Sequence, residues 1–219
     1  MSRIYLTLAG LALAMMLVTL GVGLSLGDLK PQLERLQELN EELAAESLES
    51  DNPGSAAKGT SEQQREMASL EAVGRRANMH RLLGIGSGIM VMLVNCIAVT
   101  YFVGTSRWCR EVVEAYQLDG RLWGQSASMK RRTFFWALVG MLTILVISSL
   151  GALSDPMAAF DNSQQYITPH FLAAMIGLGI VGWSFIAQWS HITENHEIIA
   201  LILVEVQQIR EERGLESSV

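Results

Sequence analysis

The residues of this chain best suited to chemistry are four histidines: His80, His170, His191 and His196. A neutral imidazole can bind a metal, relay a proton or act as a base near pH 7. Gly84 follows His80 at i+4, with Ser87 and Gly88 at i+7 and i+8. Ala173 and Ala174 follow His170 at i+3 and i+4, with Gly177 at i+7. On a helix these spacings put each imidazole above a strip of small residues on one face. Two such helices side by side would suit a b-type haem, because iron takes two neutral imidazoles and a flat macrocycle needs shallow walls. Arg81, with Arg76 and Arg75, supplies guanidinium groups for haem propionates. The same strips also serve ordinary helix packing, and a metal or quinone site is a further use of the pair.

The other candidates carry less. His191 and His196 stand five residues apart, ~140° around a helix, which does not suit chelation of one ion. They read as solvated or packed side chains beside Glu194 and Glu197. Asn95 reads as a hydrogen-bonding partner for a neighbouring helix. Asp155 and Asp161 read as solvated loop residues. Cys96 and Cys109 would lie ~20 Å apart on a continuous helix, too far for a disulfide. No nucleophile elbow, phosphate loop, zinc spacing or paired-carboxylate motif occurs, so the pattern points away from an enzyme.

The elements that must position these residues are four apolar runs without charge: Ile4 to Leu26, Leu82 to Gly104, Phe134 to Leu153 and Phe171 to Ala187. Each holds about 20 residues, enough for a helix to cross a ~30 Å hydrocarbon core. Half of the 219 residues are hydrophobic and mean hydropathy is +0.28. The net charge of −6 comes mainly from one acidic segment. No basic stripe or aromatic platform suggests nucleic acid. The expected fold is all-α, an integral membrane four-helix bundle with a helical outer hairpin and a cytoplasmic C-terminal helix. Its segments are transmembrane helices at 1–27, 81–104, 133–153 and 168–189, an outer helical hairpin segment at 28–80, a cytoplasmic loop at 105–132, an outer loop at 154–167, and a tail helix at 190–219. The first run exceeds a signal-peptide core and reads as a retained span.

Between spans two and three stand Arg107, Arg110, Arg121, Lys130, Arg131 and Arg132, whereas the loop after span three holds Asp155 and Asp161 and no base. The positive-inside rule makes the basic connection and both termini cytoplasmic, as in a bacterial inner membrane, although Arg75, Arg76 and Arg81 pull the other way. His80 and His170 then share one depth at the outer face.

Leu33, Leu36, Leu39 and Leu43 predict an amphipathic extension of the first span. The stretch from Ser50 to Ser61 reads as a loop, with helix resuming at Ser61. Trp108, Val112, Val113 and Tyr116 predict a short interfacial helix. Thr168 and Pro169 fit an N-cap and N1 pair. Ile198, Ile199, Ile202, Leu203, Val206 and Ile209 give the tail an apolar face, and Gly214 a stop. That face packs on its own chain or membrane, or on a partner helix.

The sequence His80-Arg81-Leu82-Leu83-Gly84 heads the second span, and a second histidine heads the fourth. This resembles the four-helix haem-binding half of the haem A synthase family and is similar, more loosely, to cytochrome b561-type proteins. The resemblance covers the four spans in outline and implies ligation of one haem by His80 and His170. The chain departs from the synthase pattern in having Ala77 where a glutamate is expected, no cysteine pair in an outer loop, and a single four-helix unit. The expectation is an accessory electron-transfer protein holding haem b near the outer face of the lipid bilayer. The alternative is a cofactor-free structural or assembly subunit that binds other proteins through its outer hairpin and tail.

Overall fold

The computed structural model describes residues 2–26, 38, 41, 53–155 and 162–214. The expected leucine-bearing extension at 33–43 and Asp161 lie outside the described residues. Four long helices account for nearly all the rest: α1 (Ser2–Leu24), α2 (Pro53–Tyr116), α3 (Gly120–Leu153) and α4 (Ile167–Glu212). Each contains a stretch long and apolar enough to cross a membrane. No strand occurs among the described residues.

Helix continuity exceeds what composition suggested. The backbone is already helical at Pro53, so the expected loop up to Ser61 is helix from there on. Proline fits a first helical turn because its missing N–H would have no partner there. The connection at 105–132 is helical apart from three residues, because α2 runs on to Tyr116 and α3 starts at Gly120. Gln117 takes a left-handed conformation (φ 55°), and Leu118 N–H donates to Val113 O at 3.0 Å. This is a Schellman ending without its usual glycine, and Leu118 packs back on the cluster around Val113. Asp119 then caps α3, accepting from Arg121 N–H at 2.9 Å.

A 3₁₀ turn, Ser163–Tyr166, leads into α4. The helix therefore begins before Thr168 and Pro169, which sit inside its first turn rather than capping it. That turn tolerates proline, since its N–H groups have no helical acceptor. The fourth span and the tail form one helix to Glu212, and Gly214 (φ +66°) terminates it with N–H to Glu211 O at 3.0 Å.

The described chain forms two compact units, Met1–Met16 with Ile85–Val219, and Leu17–Gly84. In the first, small and β-branched residues fill the interior: Ala9, Ala12, Val91, Val94, Ala98 and Val181, with Phe102 and Phe185 among them. Large aliphatics face outward, with Ile89 and Ile176 62% exposed. Lipid is as apolar as leucine, so close backbone approach and hydrogen bonds, not hydrophobicity, select the inner face. A second cluster, Cys109, Val113, Ile198 and Ile202, continues the packing beyond the apolar spans. Ile198 and Ile202 of the tail's apolar face are thus covered by α2 and the start of α3, while Leu203 stays 53% exposed.

Candidate functional site

Both candidate ligands are half-buried at the head of their apolar runs, and both are engaged in the same way. His80 Nδ1 lies 3.0 Å from Thr19 O, and His170 Nδ1 lies 3.2 Å from Ile147 O. A carbonyl only accepts, so Nδ1 carries the proton and, in the neutral ring, Nε2 carries the lone pair. One turn beyond each carbonyl stands a glycine. A Cβ on Gly23 would come 2.8 Å from His80 Cε1, and one on Gly151 3.0 Å from His170 Cε1. The missing methyl lets each ring lie against the preceding helix and reach its carbonyl. Spacing along the sequence does not single out Gly23 or Gly151, because each lies on a different helix from its histidine.

Of the small residues below the histidines, Gly177 departs from the open wall expected and Gly84 does not. Gly177 is filled: a Cβ there would overlap the Ile147 side chain and stand 3.0 Å from Thr143 Cγ2. Gly84 faces Thr19, whose methyl would be 3.8 Å from a Cβ. Gly177 therefore serves close packing against the preceding helix, whereas a Cβ at Gly84 would make only ordinary contact. Arg81 is exposed, as are Arg76 and Arg75, and Arg75 is paired with Glu71 at 3.3 Å. His80 belongs to one compact unit and His170 to the other.

The chemistry that sequence reasoning missed lies on α4. Ser184, Gln188, His191 and Asn195 recur at spacings of four and three, one face of a helix. Ser184, Gln188 and Asn195 are fully buried. Gln188 Nε2 donates to Asn95 Oδ1 and to Ser184 Oγ, both at 2.8 Å. Ser184 Oγ donates to Trp136 O at 2.7 Å, and Asn95 Nδ2 to Val91 O at 2.8 Å. Gly140 closes this layer, because a Cβ there would be 3.2 Å from Asn95 Nδ2 and from Ser184 Oγ. Two turns on, Asn195 Nδ2 donates to Tyr101 Oη and Thr105 Oγ1, both at 3.2 Å. Asn95 thus bonds a neighbouring helix as expected. Gln188 and Asn195 escaped notice because the apolar run ends at Ala187. The heptad-like spacing of the polar residues was the available signal.

His191 is no free tail residue. Its Nδ1 lies 3.1 Å from Thr133 Oγ1, and burial pushes its pKa below the ordinary histidine value, with Arg132 adding to the shift and Glu194 opposing it. His196 is exposed. Cys109 is buried, and burial raises its thiol pKa. Both cysteines are free, as their spacing predicted. Among the described residues no group of three or more His, Cys, Asp or Glu side chains could hold a metal ion.

These features fall into a repeat. Buried Tyr5, Ala9, Ala12 and Met16 on α1 match buried Thr133, Ala137, Gly140 and Ile144 on α3 at one offset, 128 positions (133 − 5). Buried Ser87, Val91, Val94, Asn95, Ala98 and Phe102 on α2 match Gly177, Val181, Ser184, Phe185, Gln188 and Ile192 on α4 at another, 90 positions (177 − 87). The histidine geometry obeys both: Thr19 and Gly23 pair with Ile147 and Gly151, and His80 with His170. The hairpins α1–α2 and α3–α4 carry one burial pattern twice. No family model, curated protein or solved structure matches the chain.

Proposed function

We propose that the protein is a membrane-embedded accessory electron carrier in which His80 and His170 hold one b-type haem. The supporting observation is the twin tether: each Nδ1–H is committed to a backbone carbonyl. That bond selects the tautomer in which Nε2 is the basic nitrogen, and a metal-bound histidine commonly donates its other ring N–H to a carbonyl in this way. The two imidazoles fit an iron ligand set, whereas the filled Gly177 does not fit the role of an open wall. The haem would supply a one-electron couple; the chain's own residues would orient the ligands and exclude water. His80 and His170 would each offer Nε2 to the iron. In the proposed orientation the basic connection and both termini are cytoplasmic and the histidines lie near the outer face.

A second reading is favoured by the filled glycine notches: the histidines clasp each hairpin together, and the protein is a structural or assembly subunit. Absorbance of the full-length protein purified from membranes separates the two. A Soret band lost in His80→Ala and in His170→Ala, yet retained in His191→Ala, supports the carrier. Its absence in the wild-type protein, after expression with ample haem, leaves the clasp. Reporter fusions at Ser55 and after Val219 test the orientation; exported and cytoplasmic behaviour respectively is expected, and the reverse overturns it.

A further inference from the structure

The polar face of α4 ends in oxygens that its own bonds leave over. Ser184 Oγ donates to a carbonyl, so it must accept from Gln188, which fixes the Gln188 amide with Nε2 toward Ser184 and Asn95. Thr105 Oγ1 donates to Tyr101 O at 2.8 Å, so it too must accept, which fixes the Asn195 amide with Nδ2 toward Thr105. Neither amide can be flipped without setting acceptor against acceptor. Gln188 Oε1 and Asn195 Oδ1 remain, fully buried and without a hydrogen-bond partner. The Tyr5 hydroxyl is a third such group, on a side chain 2% exposed whose ring packs edge-on against Phe185, one turn before Gln188.

Burying a carbonyl oxygen without a donor is costly, and native proteins satisfy nearly all such atoms, frequently with internal water. The source is near. A cleft of about 410 Å³ is lined by Ser2, Arg3, Ile4, Tyr101, Ile192 and His196. Tyr101 is shared: it lines that cleft, and its oxygen accepts from Asn195, leaving its own proton to donate. Asn195 and Gln188 lie two turns apart on one face, ~10 Å, the span of about three hydrogen-bonded waters. Half-buried His191, bonded to Thr133, stands between them.

We infer that α4 lines a water-filled half-channel that enters at the Tyr101–His196 cleft, passes Asn195 and ends at the Gln188–Asn95 pair, where the fourth apolar run closes. Water fits better than a metal cation, since the oxygens are amide and hydroxyl groups with no carboxylate among them to offset a desolvated charge. The inference stands apart from the haem reading, because it uses neither His80 nor His170, and Gln188 lies 18 positions (188 − 170), ~27 Å, along α4 from His170.

Solid-state NMR of the full-length protein in lipid bilayers tests it, using magnetisation transfer from water to ¹⁵N-labelled side-chain amides. Gln188 and Asn195 should build up as fast as exposed Gln208, and at least several-fold faster than the backbone amides of dry-core Val91 and Phe102. Build-up at the dry-core rate for either amide overturns the half-channel. Asn195→Leu, which blocks the route with a side chain of similar size, should slow Gln188 to the dry-core rate. Fast transfer to Gln188 in a folded Asn195→Leu protein would also overturn it, by showing entry from elsewhere. If that variant does not fold, the wild-type rates decide alone.

Discussion

The hairpins α1–α2 and α3–α4 share a scaffold and differ in what they hang on it. At the histidine end they agree closely: an imidazole, a carbonyl and a glycine recur with nearly the same distances. Toward the other end they part. Where the first hairpin has Val94, Ala98 and Tyr101, the second has Ser184, Gln188 and His191. Where the first has Tyr5, the second has Thr133. The repeated feature is the spacing of small side chains that lets two backbones approach. The polar chemistry is unequal position by position: α4 has Ser184 and Gln188 where α2 has Val94 and Ala98, and α2 has Asn95 where α4 has Phe185. The burial pattern therefore reports how the helices pair, and the departures from the repeat mark where one helix has taken on a further role.

The largest expected effect falls on the glycines that admit the imidazoles. Gly23→Ala and Gly151→Ala each place a methyl against a ring edge, so the ring must swing away from its carbonyl. Overpacking of this kind typically costs ~1–3 kcal/mol. Equal losses of thermal stability in detergent, with the Nδ1–H signal of the matching histidine displaced in ¹⁵N NMR, would confirm that the two clasps are equivalent. Tolerance of one substitution and not the other would break the equivalence at its best-matched point. A smaller loss, toward the lower end of that range, is expected for Gly140→Ala, where the methyl would meet Asn95 and Ser184 at 3.2 Å. The α1 counterpart, Ala12, already carries that methyl, so Ala12→Gly should not mirror the gain or loss at Gly140.

Smaller again is Gln188→Leu. Side-chain hydrogen bonds between membrane helices contribute on average ~0.6 kcal/mol and up to ~1.7. This variant removes the donor to Asn95 and Ser184 while keeping most of the volume. Ala98→Ser, at the matching position of α2, should change stability less, since a serine in a helix can donate to the carbonyl four residues back. If Ala98→Ser costs as much as Gln188→Leu, the polar layer has no special weight and the contrast between the hairpins dissolves.

The spans are legible in the sequence because about 20 residues without charge leave a helix no face suited to water. The places of His80 and His170 at the heads of two apolar runs are legible in the sequence. Their bonding is not, because Thr19 and Ile147 contribute only a backbone oxygen, which leaves no trace in residue type. The repeat is hidden because burial tolerates exchange: Ala12 answers to Gly140, and Asn95 to Phe185. Pro53 and Gly54 mislead because composition alone weighs them as chain punctuators. A proline at a helix start is favourable, and a glycine costs only ~1 kcal/mol in a long helix. Gln188 and Asn195 look like part of a solvated tail because hydropathy averages over all faces of a helix. Only the inner face decides whether a polar side chain is buried.

The smallest effect is electrostatic and belongs to the second hairpin alone. His191 corresponds to Tyr101 at the 90-position offset, and a tyrosine does not ionise near neutral pH. Burial holds His191 below the usual histidine pKa, Arg132 adds to that, and Glu194 partly offsets it. The neutral ring is thus favoured in the folded protein, while the unfolded chain binds the proton more readily. The stability tied to this group is full above the unfolded value of about 6.5 and is lost as pH falls from there through the lower folded value. Thermal unfolding from pH 8 to 5 should show the wild-type midpoint dropping more steeply below about pH 6.5 than that of His191→Asn. Arg132→Gln should shrink the difference and Glu194→Gln enlarge it, since each removes a charge of known sign. Parallel midpoint curves for wild type and His191→Asn would mean that the ring is hydrated in both states. His191 would then be as indifferent to pH as Tyr101, and the contrast between the hairpins would rest on the amides alone.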